Sequence, residues 1–258
     1  MPINFPHKPE VQLARPPLEE VVCQVRFPPI LRISREEPVD FQEQIRRRFP
    51  LLRVEQGVQV QFPLPGNPGA PSAEFKPKLY RFVSEDEQTA VSLTLNFYAL
   101  SARRYAHWQA FAADLQLVHD AARQVYQPAY ASRIGLRYTN RLTLENTQTK
   151  NKEELFDLLR PELTATLRGP VWQDAAEMVC QVSFIEQDAQ LNLRVAYEEP
   201  EGPAFILDFD YFEKGKLPLD GLVERCDHYH TIIYDAFRHC LPDETLQKFQ
   251  PVPAEGEM

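Results

Sequence analysis

RIGLRYTNRL, residues 133–142, is the stretch on which the reading of this chain turns. Ile134, Leu136, Tyr138 and Leu142 recur at even positions, the period of a strand with one buried face, while Arg133, Arg137 and Arg141 take the other face. Successive arginines stand about 13 Å apart at strand rise. A strand face written in arginine is not one that a helix covers, so the arginine side of the sheet is expected to be open.

Downstream of this strand, NKEELFDLLRPEL (151–163) reads as a helix, and MVCQVSFIEQ (178–187), AQLNLRVAYEE (189–199) and AFILDFDYFEKG (204–215) read as three strands. DGLVERCDHYHTIIYDAFRHCL (220–241) is a long closing helix. Upstream, EEVVCQVRFPP (19–29) alternates around Val21, Cys23, Val25 and Phe27. PVDFQEQIRRRFP (38–50) places Phe41, Ile45 and Phe49 four apart on one helical face and stops at Pro50. VEQGVQVQF (54–62) reads as a short strand. LYRFVSEDEQTAVSLTLNFYAL (79–100) reads as a hairpin with an acidic SEDEQ tip, its second strand burying Val91, Leu93, Leu95 and Phe97. HWQAFAADLQLVHDAARQVY (107–126) is the clearest helix, with Trp108, Phe111, Leu115, Val118, Ala122 and Val125 on one stripe, and Pro128 ends it.

Both halves therefore read β-α-β-β-β-α. The expected fold is α+β, a duplicated unit of that order whose largely antiparallel, curved sheet carries its helices on one face. Residues 1–17, with Pro2, Pro6, Pro9, Pro16 and Pro17, are expected to form an extended arm. Residues 18–130 and 131–250 would be the two halves, and 251–258 a disordered tail. EVVCQVRF (20–27) and EMVCQVSF (177–184) echo each other but do not align in element order, so the expected duplication rests on topology. Segment 63–78, PLPGNPGAPSAEFKPK, reads as a surface loop suited to an exposed partner contact.

At 258 residues, 43% hydrophobic and 25% charged, the chain can bury a substantial core. The N-terminal MPINFPHKPE lacks the basic and apolar regions of a secretory signal, and no apolar run is long enough to span a bilayer, so the expectation is a cytoplasmic protein without membrane contact. Cys23, Cys180, Cys226 and Cys240 include no CxxC pair, and each is expected to be reduced and buried on a core face. A net charge of −9 argues against nucleic acid as a partner, because phosphate neutralisation needs a clustered excess of Lys and Arg.

The sequence resembles a sporadically distributed family of bacterial proteins of about this length that has no assigned activity. The resemblance is carried by PPLEEVVCQVRF (16–27), by the spacing of Tyr105, Trp108 and Phe111, by RIGLRYTNRL and by HTIIYDAFRHCLPDETLQKF (230–249), and it spans nearly the whole chain. It implies a bacterial protein of patchy occurrence, as is common for genes of mobile, defence or toxin–antitoxin type loci. It implies no catalytic residue.

The candidate site follows from the open face. Ser92, Thr94 and Asn96, then Asn192 and Arg194, then Asp208 and Asp210 are expected beside Arg133, Arg137 and Arg141. One reading pairs Arg with Asp across strands on a solvated surface. A second makes the face a groove or barrel interior in which Arg133, Arg137, Arg141, Arg194, Asp208 and Asp210 hold an anionic ligand or a peptide. A third lays DNA along the sheet, against which stands the scarcity of stacking aromatics at the polar positions.

Asp208-x-Asp210 could coordinate Mg²⁺ in an enzyme acting on phosphodiesters. CDHYH (226–230) invites a zinc reading, but helical geometry splits Cys226 and His230 from His228, Asp235 and His239. His230 reads as a hydrogen-bonded packing residue, and Arg46–Arg48 as a solvated helix face able to thicken a basic patch. GxSxG, HExxH, GxxxxGK[ST] and GxGxxG are all absent, and nine glycines leave little for phosphate-cradling loops. The expected function is that of a non-enzymatic binding protein, able to self-associate as a homodimer, that engages a protein partner or an anionic ligand with no cofactor and no metal.

Overall fold

The arginine-bearing strand is the longest but one among the described residues and lies near the middle of its sheet. The computed structural model describes residues 3, 5–56 and 78–252. Its elements run β1 (Leu18–Arg26), α1 (Arg32–Arg35), α2 (Val39–Ile45), β2 (Leu51–Gln56), β3 (Lys78–Val83), β4 (Thr89–Thr94), β5 (Phe97–Ala102) and α3 (Trp108–Tyr126). The chain continues through β6 (Ala131–Thr143), α4 (Leu144–Thr147), α5 (Lys152–Phe156), α6 (Pro161–Arg168), β7 (Glu177–Glu186), β8 (Ala189–Glu198), β9 (Ala204–Leu217) and α7 (Leu222–Cys240). A 3-10 helix (Asp243–Phe249) closes it.

The strands form one antiparallel sheet in the order β2-β3-β4-β5-β1-β6-β9-β8-β7. In each half the first strand pairs with the last strand of the following meander, and β1 pairs with β6 where the halves meet. Among the described residues the sheet has two edges, β2 and β7, so it is open and encloses no barrel interior there.

The α+β class and the antiparallel sheet agree with the sequence reading, while the element counts differ. The stretch 79–100 holds three strands, because the chain turns at Leu95–Asn96 and comes back as β5. Leu95 and Phe97 are accordingly only half-buried and Asn96 is exposed in the turn. Among the described residues the first half therefore has one strand more than the second. The helix expected over 151–163 is two, α5 and α6, because Pro161 cannot donate into a continuing helix and instead starts a new one. Of the strand expected over 54–62, residues 54–56 belong to β2. The remainder, residues 63–77 of the proline-rich loop and residues 253–258 of the tail lie outside the described residues.

Register assigns the faces. Phe82, Tyr98, Tyr138, Tyr197, Phe205 and Phe209 share the helix-covered side. Phe41 of α2 packs 5.5 Å from Phe82, Phe156 of α5 5.4 Å from Tyr197, and Phe237 of α7 6.3 Å from Phe209. All the helices that bury hydrophobic residues contribute them to this one core. Complete burial of a ring such as Phe209 contributes about 2 kcal/mol from removed apolar area. His119 of α3 is satisfied inside the core: it hydrogen-bonds the Tyr98 hydroxyl at 2.6 Å and the Leu219 carbonyl oxygen at 2.9 Å, and burial lowers its pKa.

Cys23 and Cys226 are buried with their sulfurs 3.7 Å apart, a contact that pushes the Cys226 thiol up, and burial pushes Cys240 up to about 12. Cys180 is the exception to the expected burial. It lies on edge strand β7, where no helix covers it, and it is exposed. No helix among the described residues is long and apolar enough to cross a membrane.

Candidate functional site

The helix-free face of β6, β9 and β8 assembles the predicted polar residues into a ladder of ion pairs. Arg137 Nε and Nη2 donate to Asp208 Oδ1 and Oδ2 at 2.6 and 2.7 Å, a bidentate pair that raises the Arg137 pKa. Arg133 Nη2 donates to both oxygens of Asp210 at 2.8 and 3.0 Å. To reach it the Arg133 head crosses Gly135, where a Cβ would collide with the guanidinium, and it lies 4.4 Å from the Phe212 ring centroid. Arg141 pairs with Glu198 and, at 3.8 Å, with Glu19.

Four of the six residues expected at the site, Arg133, Arg137, Asp208 and Asp210, thus pair directly with one another. Arg194 stands opposite Asp208 in the β8–β9 register, is exposed, and forms no ion pair among the described residues. Both Asp208 and Asp210 already accept from guanidinium groups, so a divalent cation would have to displace two arginines. Of the neighbours expected on this face, Thr94 is buried and Asn96 belongs to the β4–β5 turn.

Within Arg46–Arg48, Arg46 pairs with Glu43 and Arg48 forks onto Asp114. In α7, Cys226 is held in the core and Asp235 is buried, not on a solvated face. The arm covers it: Asp235 accepts from the Lys8 backbone N–H at 2.9 Å and bonds the His7 ring at 3.1 Å. Among the described residues no group of three or more His, Cys, Asp or Glu is placed to hold a metal ion.

Residues 5–17 of the N-terminal arm build a second feature that the strand pattern did not reveal. They cross α7 and are tied there: the Val11 N–H donates to the Tyr234 hydroxyl, which donates to the Pro9 carbonyl oxygen. Ala14 and Arg15 N–H groups donate to the carbonyl oxygens of Gln250 and Phe249. Between the arm, β6, α7 and the loop before α3 lies a groove open to solvent.

One wall of the groove carries four linked polar side chains. Glu10 lies 3.3 Å from His230 Nε2, the Tyr138 hydroxyl 2.9 Å from His230 Nδ1, and the Tyr105 hydroxyl 3.3 Å from that of Tyr138. The His230 ring stacks on Trp108, centroids 4.8 Å apart and nearly parallel. The hydrogen bond to His230 holds the Glu10 carboxyl below its usual range, whereas burial pushes both phenols up.

His230 is the hydrogen-bonded residue that its helical position indicates. Its partners were not legible, because they come from positions 92 and 220 residues away in the chain. The one available signal was a carboxylate, Glu10, in an arm otherwise rich in proline. No protein-family model matches the chain, and no curated protein matches it in sequence.

Proposed function

We propose that the protein is a non-enzymatic, cytoplasmic binding protein that receives an acidic segment of a protein partner on the helix-free face of its sheet. One observation supports this reading above others: Arg137 and Arg194 flank Asp208 from the two neighbouring strands, and neither guanidinium is used up. Arg137 commits Nε and Nη2 to Asp208 and stays half-exposed, with Nη1 unbonded among the described residues, and Arg194 is exposed without an ion pair there. Asp208 therefore orders one arginine and leaves the second without an ion pair among the described residues, so two fork-shaped donors face outward for a partner's carboxylates.

The arginines of RIGLRYTNRL then have two duties. Arg133 and Arg141 hold the sheet face together, and Arg137 presents a donor surface. The resemblance to a sporadically occurring bacterial family of defence-type loci is in keeping with a partner-dependent role. The halves 18–130 and 131–250 are read as a duplicated unit on their shared strand pairing, and self-association is an alternative way to fill the same face.

Native mass spectrometry of the protein purified gently from its own host tests the reading, with Arg194→Glu as the variant. Arg194 is exposed, so the change leaves the core intact. A second polypeptide carried by the wild type and lost from Arg194→Glu is the expected result. A bare monomer, or a companion that the variant retains, overturns it.

A further inference from the structure

The groove under the arm is separate from the helix-free face, since its β6 residues, Tyr138 and Asn140, point to the opposite side of the sheet. Its hydrogen-bonding groups have a common sense. Glu10, held ionised, requires a donor at His230 Nε2. With Nε2 as the donor nitrogen of the ring, Nδ1 accepts from the Tyr138 hydroxyl, which in turn accepts from Tyr105. The chain of donors runs from Tyr105 to Glu10, so the Tyr105 oxygen at its start has lone pairs left to accept.

Asn140 is buried and also lines the groove. Its Nδ2 donates to the Leu207 carbonyl oxygen at 3.3 Å, which fixes the amide orientation, and its Oδ1 accepts no hydrogen bond among the described residues. His107 Nδ1 at the mouth already accepts from the Ala110 N–H. The ionisable groups facing the groove are Glu10 from the arm, Tyr105 and His107 from the loop, Tyr138 from β6, and His230 and Tyr234 from α7, and burial pushes the Tyr105 and Tyr138 phenols up. Glu10 brings a negative charge to the groove, and the Tyr105 and Asn140 oxygens are acceptors with lone pairs to spare. Gln12 and Tyr234 also line it, and most of the remaining lining, including Leu13, Ile233 and Phe237, is apolar.

We propose that this groove binds a small amphipathic amine, with its ammonium group on the acceptor wall at Glu10 and its apolar body between the arm and α7. An ammonium brings three donors and a positive charge to a wall that offers acceptors and the Glu10 carboxylate. A carboxylate would face Glu10 and leave Asn140 Oδ1 unsatisfied. A neutral alcohol brings one donor and no charge. The arm is one wall of the site, so occupancy also fastens the N-terminus to α7.

Isothermal titration calorimetry with 1-naphthylmethylamine at neutral pH and low salt tests the site, with 1-naphthylmethanol and 1-naphthoate as matched probes. Wild type is expected to bind one equivalent of the amine, the alcohol more weakly, and the naphthoate not at all. Glu10 is half-exposed, so Glu10→Gln preserves the fold and is expected to weaken the amine by about tenfold or more.

Trp172→Phe leaves Trp108, stacked on His230, as the sole tryptophan. Its fluorescence is expected to change along the same saturation curve. Absence of binding overturns the proposal, as does equal affinity in Glu10→Gln, which would mark adsorption to an acidic protein. Naphthoate binding as tightly as the amine overturns it too. Arg194→Glu is expected to bind the amine like wild type, which separates this test from that of the sheet face.

Discussion

EVVCQVRF in β1 and EMVCQVSF in β7 agree at six of eight positions, yet they lead opposite lives. β1 lies between β5 and β6 with helices over it, and Cys23 and Val25 have no exposed surface. β7 pairs with β8 alone, and Cys180 is exposed while Val182 keeps 43% of its surface in solvent. The alternation that makes each string a strand is identical, and the register places the corresponding cysteines on the same face of the sheet. The difference comes from neighbours on either side and above. Strand propensity is a property of the string, whereas burial belongs to its place in the sheet.

Placing a carboxylate in each strand gives the largest expected difference. Val25→Asp buries an unpaired charge at the centre of the sheet and is expected to cost more than about 4 kcal/mol, enough to unfold a marginal domain. Val182→Asp is expected to stay within about 1 kcal/mol of wild type, because the edge remains hydrated. Urea denaturation of the two variants measures the gap, and equal costs would break the comparison. The cysteines sharpen it. Of four thiols, Cys180 alone is expected to react promptly with a thiol reagent under native conditions, with Cys23, Cys226 and Cys240 released on unfolding.

Effects on the two faces should be smaller. Arg137→Ala leaves Asp208 with 10% of its side chain exposed and no guanidinium partner, and is expected to cost about 1–2 kcal/mol by chemical denaturation. His119 reports on the covered face. Its folded-state pKa is depressed by burial below the ordinary 6.5. Stability is therefore complete above about pH 6.5 and declines as pH falls toward the folded value, because the unfolded chain takes up that proton first. The slope is at most about 1.4 kcal/mol per pH unit. His119→Gln is expected to flatten that slope in denaturation curves collected between pH 7.5 and 5. Arg194→Ala is expected to shift stability by less than about 0.5 kcal/mol, since the guanidinium is exposed and unpaired among the described residues.

Much of the helix-free face was legible in the chain because strand period 2 is strict. Once Ile134, Leu136, Tyr138 and Leu142 mark one side of β6, Arg133, Arg137 and Arg141 must share the other, and AFILDFDYF sends Asp208 and Asp210 to it by the same rule. The turn at Leu95–Asn96 was not legible, because apolar Leu95 and Phe97 continue the alternation through it. Asp235 was misplaced because helical geometry places it away from α7's apolar stripe, and only the arm, more than 220 residues earlier, covers that side. The groove was hidden for the same reason: Glu10, Tyr105, Tyr138 and His230 each belong to a different element and meet only when the arm lies across α7.

By itself, then, the sequence determined the periodic elements, the two-sided character of the sheet and the arginine–aspartate ladder, all consequences of local geometry repeating at 2 or 3.6 residues. The tertiary structure decided which strand became an edge, which cysteine met solvent, which arginine was left unpaired and where a groove opened. Those outcomes depend on which distant surfaces come to lie against each other, and a short string, such as VCQV in two places, carries no record of its future neighbours.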